Sequence, residues 1–293
     1  MNSRITLYLM SYKGYYVLQK ILSEFPPSLI DKVISSEDNN VENDFYKEIK
    51  SLAESSGIYF YNKNDSFEII TTYVLAISWR WIIGLDQKLI ILHDSILPCY
   101  RGFSPLVNYL INNEKSIGVT AIFANLEYDT GDIIEQKEIE ITYPIKIFDA
   151  IKLLTPLYYE IIKSIIIKIS KNKPLFAVKQ DDLKASYCLW RGEDDYEINW
   201  EEDSIYIRRF IDALGFPFLG ASSYLENKKV RIFEAEEYED LIIENRTPGK
   251  VIFLKNGNPV VVCGKGLLLI KKIIEVGTGN SLLPLRKIRT RFT

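Results

Sequence analysis

At 293 residues the chain is longer than one typical domain and short for three, so two folded units are expected. Hydrophobic residues make up 47% and charged residues 26%, which supports a sizeable core and excludes a globally disordered chain. The formal net charge of -3 gives no overall attraction to phosphate backbones, which argues against a primary nucleic-acid binder.

Residues 5–10 read as a first strand, reached from Met1-Asn2-Ser3-Arg4 without the charge, long apolar run and small residues of a signal peptide. Gly14 then opens a helical stretch through Leu22, and residues 32–34 suggest the next strand. Phe45, Ile49, Leu52 and Ala53 share one helical face, with Asn43 as the expected cap and Gly57 as the terminator. Residues 73–78 and 88–92 are short continuous apolar runs, as expected of strands covered by helices on both faces. Residues 118–123 and the alternating 138–141 add strands, and a long helix follows to about Ser170, kinked at Pro156. Its greasiest part, 157–169, is interrupted by Glu160, Lys163 and Lys168, too short and too charged to span a bilayer. The alternation predicts an open α/β sheet over the first 150 residues. Ligands meet such sheets at the carboxyl ends of strands, which directs attention to the residues just after Ser78 and Leu92.

From about Tyr187 the texture changes. A polar, acidic link (191–203) leads to a helix around 206–214, then to short strands separated by Gly, Asn and Pro. Residues 249–253, the turn 256–259, and residues 260–262 and 266–270 suggest a small β-barrel or a hairpin-rich sheet. The basic run 285–291 alternates with apolar residues and reads as a solvated edge strand or tail. Cys99, Cys188 and Cys263 show no CxxC spacing, which argues against a disulfide framework and a zinc site and fits a reducing cytoplasm.

His93 is the only histidine and follows directly on a predicted buried strand. A single histidine is more often structural than catalytic, so its neighbours decide. The segment His93-Asp94-Ser95-Ile96-Leu97-Pro98-Cys99-Tyr100-Arg101-Gly102 fits H-x-S-[LI]-L-P-x-[YW]-R-G. Thirty-six residues beyond His93, Asp129 lies in Tyr128-Asp129-Thr130-Gly131-Asp132-Ile133-Ile134, which fits D-x-G-x-[IV]-[IL], and Gly118-Val119-Thr120 precedes it. Each piece alone could be an ordinary turn. Together, in order and at this spacing, they resemble the folate-dependent formyltransferases.

The resemblance covers most of the chain. Ser78-Trp79-Arg80-Trp81-Ile82-Ile83 looks like the strand-end segment that holds the pterin ring in relatives, largely through backbone groups. Residues 190–200, 207–210 and 217–221 resemble the linker and first C-terminal element of the methionyl-tRNA and amino-sugar members, a domain that glycinamide ribonucleotide formyltransferases lack. The resemblance implies a Rossmann-like, mostly parallel catalytic domain over 1–186 and a smaller β-rich domain, OB-like or hairpin, over 187–293. It further implies His93 and Asp129 as catalytic residues, Arg80, Trp81, Ile82 and Asp129 at the folate, Ser95, Arg101 and Ser104 at the acceptor, and no metal.

One position departs from the family, which usually reads N-x-H, whereas here Ile91 stands two residues before His93. The family's Asn donates a hydrogen bond to the formyl oxygen, and an isoleucine has no donor. Losing one such donor typically costs about 10²–10³ in turnover. Another donor substitutes, turnover is reduced, or the chain has kept the fold with altered activity.

The implied reaction is attack of an amine on the formyl carbon of N10-formyltetrahydrofolate, with the His93 imidazole moving protons and Asp129 stabilising and orienting it. His93-Asp94-Ser95, residues 101–105 and 190–195 look closest to bacterial amino-sugar N-formyltransferases of surface-glycan synthesis, such as lipopolysaccharide O-antigen. The acidic total and the acidic stretch 197–203 agree, because a tRNA acceptor calls for a basic face. The expected partners are therefore a nucleotide-linked amino sugar and a reduced folate, with no nucleic acid and no membrane, for a cytoplasmic enzyme whose relatives often form homodimers. The alternatives are a methionyl-tRNA formyltransferase and a catalytically weakened folate or nucleotide-sugar binding homologue. A Rossmann oxidoreductase is not supported, because Ser11-Tyr12-Lys13-Gly14 lacks the GxGxxG of close pyrophosphate approach.

Overall fold

The computed structural model describes residues 4–84 and 87–293, so Met1–Ser3, part of the start read above as leaderless, lie outside the described residues. The chain runs β1 (Ile5–Leu9), α1 (Ser11–Glu24), β2 (Ile30–Ser35), α2 (Tyr46–Ser55), β3 (Tyr59–Asn62), β4 (Tyr73–Ile77), β5 (Lys88–His93), β6 (Arg101–Gly102), α3 (Pro105–Ile111), β7 (Ser116–Phe123), β8 (Ile133–Glu140) and α4 (Ile147–Ser170). The link carries β9 (Tyr187–Cys188) and α5 (Ser204–Leu214). Five strands follow: β10 (Ala221–Leu225), β11 (Lys228–Tyr238), β12 (Val251–Lys255), β13 (Asn258–Val262) and β14 (Leu267–Glu275).

The first sheet has the order β3-β2-β1-β4-β5-β7-β8. Strands β3 to β5 pair in parallel, and β7 runs antiparallel to both β5 and β8. Period-two alternation divides its residues between two cores. Leu7, Leu9, Leu75, Ile77, Ile90 and Leu92 join the core that also holds residues of α1 and α4. Tyr8, Val74, Ala76 and Leu89 join a smaller cluster on the opposite face. From β1 the chain moves outward to β2 and β3, then returns to β4 on the other side of β1. The carboxyl ends of β1 and β4 thus border the switch point at which open α/β sheets bind ligands.

Several boundaries differ from the sequence reading. The first helix begins at Ser11, and Gly14 lies inside it, where a Cβ would meet Leu9 Cβ at 3.1 Å. Gly14 therefore serves close helix-on-strand packing. Asn43 does not cap the second helix: its Oδ1 accepts the Phe45 N–H, and Phe45, at φ 60°, is the residue before the first helical turn. Packing of the Phe45 ring on Tyr12 and Tyr15 accompanies that later start. Helix α4 continues through Pro156 without ending. The edge strand β3, with two-faced partial exposure, carried no clear periodicity.

The second sheet is antiparallel in the order β10-β11-β14-β13-β12, with α5 packed on β11 and capped by Asp203, whose carboxylate accepts the Ile205 N–H. Its tight hairpins turn at Glu226–Asn227 and Asn256–Gly257, all four at positive φ, the conformation that two-residue turns between twisted strands require. The end of the basic run is neither solvated throughout nor a long strand. Arg291 bridges to Lys250 and Phe292 to Leu225, so the C-terminal residues join the two open edges of this sheet, and Phe292 is buried. All three cysteines are free, and no helix among the described residues is long and apolar enough to cross a membrane.

Candidate active site

Strand β5 delivers His93 at its last residue, on the face of the smaller cluster, in register with Thr120 of β7. The imidazole is buried, with an oxygen facing each nitrogen. Nε2 lies 2.8 Å from the Tyr100 carbonyl oxygen, which can only accept, so Nε2 carries a hydrogen. Nδ1 faces Asp129 Oδ1 at 3.5 Å. The other carboxylate oxygen, Oδ2, accepts the Gly102 N–H at 2.8 Å.

Both partners of His93 come from turns that the sequence builds for the purpose. Between His93 and Gly102 the chain folds back on itself: Ser95 Oγ donates to Cys99 O, and Thr120 Oγ1 accepts from Leu97 N while donating to Ser95 O. Gly102, at φ +99°, could not carry a side chain, because a Cβ would lie 2.4 Å from the Cys188 carbonyl oxygen. Asp129 itself is left-handed at φ 56°, and Gly131 is required where a Cβ would lie 1.6 Å from Phe123 O. Gln180 ties this loop down by donating to Asp129 O at 2.7 Å and Gly131 O at 2.8 Å, while its own Oε1 accepts from Arg101.

Beneath His93, the adjacent Asp94 turns toward the helix-covered face. Its carboxylate takes Lys13 Nζ from the first turn of α1 and the Tyr158 hydroxyl from α4. Burial and the Asp94 carboxylate hold the Tyr158 phenol well above its ordinary range, so it stays a donor. A paired charge of this kind locks three elements together around the histidine loop, since breaking it would leave a buried ion alone. Cys188, close by, is no nucleophile: burial pushes its thiol up to about 11.

At the switch point the structure leaves polar atoms unmatched. Ser11 Oγ, Ser78 Oγ and Trp79 Nε1 are buried with no hydrogen-bond partner, and both serines have positive φ, at 62° and 54°. Buried donors without partners are rare and costly, and strained residues at strand ends mark ligand sites more often than defects.

The residues expected at the folate lie just beyond. Arg80 pairs with Asp38 at 2.8 Å, Trp81 packs edge-on against Trp79 and under Lys63 Nζ, and Ile82 is exposed. Of those expected at the acceptor, Ser104 is exposed at the start of α3, whereas Ser95 is fully buried within its turn. The Arg101 guanidinium is 2% exposed and engaged by Gln180, Asp182 and Tyr187. It braces the Asp129 loop from behind. Ile91 lies two residues before His93 on the same sheet face and packs against the smaller cluster. Sequence reasoning missed Lys13, Tyr158 and Gln180; all three lie far from the motifs in sequence, and no local pattern announces them. Among the described residues no group of three or more His, Cys, Asp or Glu is placed to hold a metal.

Comparison with known proteins identifies the family. The formyl transferase family model matches residues 44–146, and the formyl transferase C-terminal domain model matches residues 192–282. A methionyl-tRNA formyltransferase of Thermodesulfovibrio yellowstonii is 30% identical over 251 residues, covering 84% of this chain and 75% of that protein. Another, from Syntrophomonas wolfei, is 32% identical over 210 residues, covering 70% of this chain. The chain spans 66% of the length of the Syntrophomonas wolfei protein and 57% of that of a further relative from Ruminiclostridium cellulolyticum. Among solved structures, an N-formyltransferase from Helicobacter canadensis in complex with folinic acid and dTDP-3-aminofucose aligns with a TM-score of 0.69 at 20% identity, covering 92% of this chain and 98% of that one. A sugar 3N-formyl transferase with dTDP and 5-N-formyl-THF aligns at 0.64, also at 20% identity, covering 95% of this chain and 99% of that one.

Proposed function

Because the chain belongs to the formyl transferase family and carries both of its domains, we propose that it transfers a formyl group from N10-formyltetrahydrofolate to the amine of a nucleotide-linked amino sugar. The observation that carries the reading is the His93–Asp129 pair, 3.5 Å apart at the end of β5 beside the switch point. Residues 1–186 would form the catalytic domain and 187–293 the C-terminal one.

A reduced folate fits the residues present. Its pterin is flat and rich in hydrogen-bonding atoms, and the unmatched Ser11 and Ser78 hydroxyls, with the aromatic faces of Trp79 and Trp81, suit such a ring. Residues 78–83, including Arg80, Trp81 and Ile82, would hold it. When bound, the folate supplies an activated formyl carbon attached to a nitrogen that can leave.

The protein's own part is proton handling and placement. With Nε2–H committed to Tyr100 O, His93 Nδ1 is the nitrogen open to a proton, and the Asp129 carboxylate stabilises the cation that results. The new bond joins the acceptor nitrogen to the formyl carbon, the bond from that carbon to N10 breaks, and the proton lost by the amine is passed through His93 to N10. Asp129 is kept in place by the Gly102 N–H and, through its backbone, by Gln180.

Two considerations support the sugar over a tRNA acceptor. The net charge is -3, and the link between the domains includes Glu193, Asp194, Asp195, Glu197, Glu201 and Glu202, where a tRNA calls for a basic face. The product would be a formamido sugar of surface glycans such as lipopolysaccharide O-antigen, made in the cytoplasm by a homodimer. A second reading, formylation of methionyl-tRNA, is favoured by the names of the sequence relatives.

Incubation with N10-formyltetrahydrofolate and a panel of UDP-, dTDP-, GDP- and CMP-linked amino sugars, alongside methionyl-tRNA, tests both. The expected result is a formamido sugar nucleotide, with turnover in His93→Ala lower by about 10²–10⁴. Formylation of methionyl-tRNA alone would move the assignment to the second reading, and near-normal turnover in His93→Ala would end the mechanism.

A further inference from the structure

We propose that the Trp79 indole N–H is the hydrogen-bond donor to the formyl oxygen, taking the part that an asparagine at position 91 plays in relatives. The inference rests on the formylfolate reading above and adds a catalytic residue to it.

Three observations carry it. First, Ile91 removes the expected donor while leaving its place in the sheet intact: Ile91 and His93 alternate onto one face of β5. Second, Trp79 Nε1 is buried with no hydrogen-bond partner. An indole nitrogen can only donate, so unlike a serine hydroxyl it cannot turn into an acceptor to satisfy itself. Leaving such a group unmatched is disfavoured, and a ligand oxygen is an acceptor that would satisfy it.

Third, topology puts this donor on the same sheet face, and in the same cluster, as the vacated position. Tyr8, Ala76 and Ile91 are successive register partners across β1, β4 and β5, so their side chains form one row on the smaller-cluster face. Trp79 packs edge-on against Tyr8, with ring centroids 4.8 Å apart, and joins the same cluster as Ile91. One step along the sheet, Ser78 follows Ile77, the register partner of Leu92, which sets it level with His93. The positive φ of Ser78 turns the chain at this point and sends Trp79 back over the row instead of onward with the strand.

In chemical terms, negative charge gathers on the formyl oxygen as the amine adds and disperses when the bond to N10 breaks. No atom is transferred to or from Trp79, which only donates a hydrogen bond to that oxygen in both stages. A donor preorganised in a largely apolar setting is worth more to the charged state than to the resting carbonyl.

Two linked measurements test this. Calorimetry with 10-formyl-5,8-dideazafolate and with unformylated 5,8-dideazafolate reads the contact without any acceptor or turnover. The wild type should bind the formylated compound roughly three- to tenfold more tightly, the scale of one hydrogen bond. Trp79→Phe should abolish that preference while keeping the affinity for the unformylated compound. Turnover in Trp79→Phe should fall by about 10²–10³, and Ile91→Asn added to it should restore both the binding preference and at least tenfold of the rate. With Trp79 present, Ile91→Asn should raise the rate by less than about threefold, because the oxygen already has its donor, and an equal gain in both backgrounds would mean that Trp79 merely packs. Equal binding of the two compounds by the wild type, a preference that survives in Trp79→Phe, or a loss that Ile91→Asn leaves unrepaired would each overturn the assignment. Failure of the wild type to bind either compound would overturn the folate reading itself.

Discussion

Replacing Asp129 by asparagine keeps the size of the side chain and removes its charge. One oxygen remains to accept the Gly102 N–H, now 2.8 Å from Oδ2, so the loop should keep its shape. What is lost is the anion 3.5 Å from His93 Nδ1. At an effective dielectric of about 20, two unit charges at that separation interact by about 5 kcal/mol. The full figure is an upper bound, because both groups keep some exposure, 13% for the Asp129 side chain and 8% for His93. With about 1.4 kcal/mol for each factor of ten, a loss of about 10²–10³ in turnover is expected. The asparagine amide can also donate to Nδ1, tying up the nitrogen that must take the proton. Steady-state kinetics on Asp129→Asn, with folate affinity measured separately, should show the loss almost wholly in kcat. Near wild-type turnover would refute the role given to this ion pair, and so would a fall in folate affinity large enough to account for the whole effect.

Two further predictions address the frame around the site. Gly102→Ala places a methyl group 2.4 Å from the Cys188 carbonyl at φ +99°, which should push β6 from β9. Overpacking and backbone strain together cost about 2–5 kcal/mol, visible as a melting temperature lower by several degrees, with turnover falling as the N–H leaves Asp129; an unchanged melting curve would show that the contact between β6 and β9 yields freely. In the second domain, burial pushes Asp212 up to about 6 despite Arg208 at 3.1 Å. Its protonated form therefore favours the folded state at low pH, and that contribution disappears as pH rises from about 4 through 6. Asp212→Asn should gain on the wild type by up to roughly 3 kcal/mol between pH 4 and pH 7 in urea unfolding, and a pH-independent difference would contradict the assignment.

Much of the catalytic half could be read from local pattern. The continuous apolar runs of β4 and β5 reflect burial on both faces, and a histidine ending such a run can only be at a strand end. Gly102 and Asp129 sit where turns demand positive φ, and Gly131 where the Phe123 carbonyl leaves no room for a Cβ, so the motif shows a backbone requirement as well as a chemical one. Boundaries were less legible. Asn43 has the right chemistry for a cap, but the Phe45 ring packs on α1, and that tertiary contact moves the helix start. The resemblance puts Arg101 at the acceptor, yet Gln180, seventy-nine positions later, accepts two of its hydrogen bonds and makes it a brace. The basic C-terminal run could not reveal that its last residues join two sheet edges, because both edges are built from distant segments.

The sequence by itself determined which residues could do chemistry: one imidazole, a carboxylate in a glycine-bearing loop, and an isoleucine where a donor is usual. Local composition suffices for that, since side-chain type and strand periodicity are properties of neighbouring residues. Only the tertiary structure decided which groups meet. Lys13, Asp94 and Tyr158 converge from α1, the β5 end and α4, and Trp79 comes back over the row holding Ile91. Such meetings depend on strand order and register, which the packing of the whole sheet sets and no stretch of chain encodes alone.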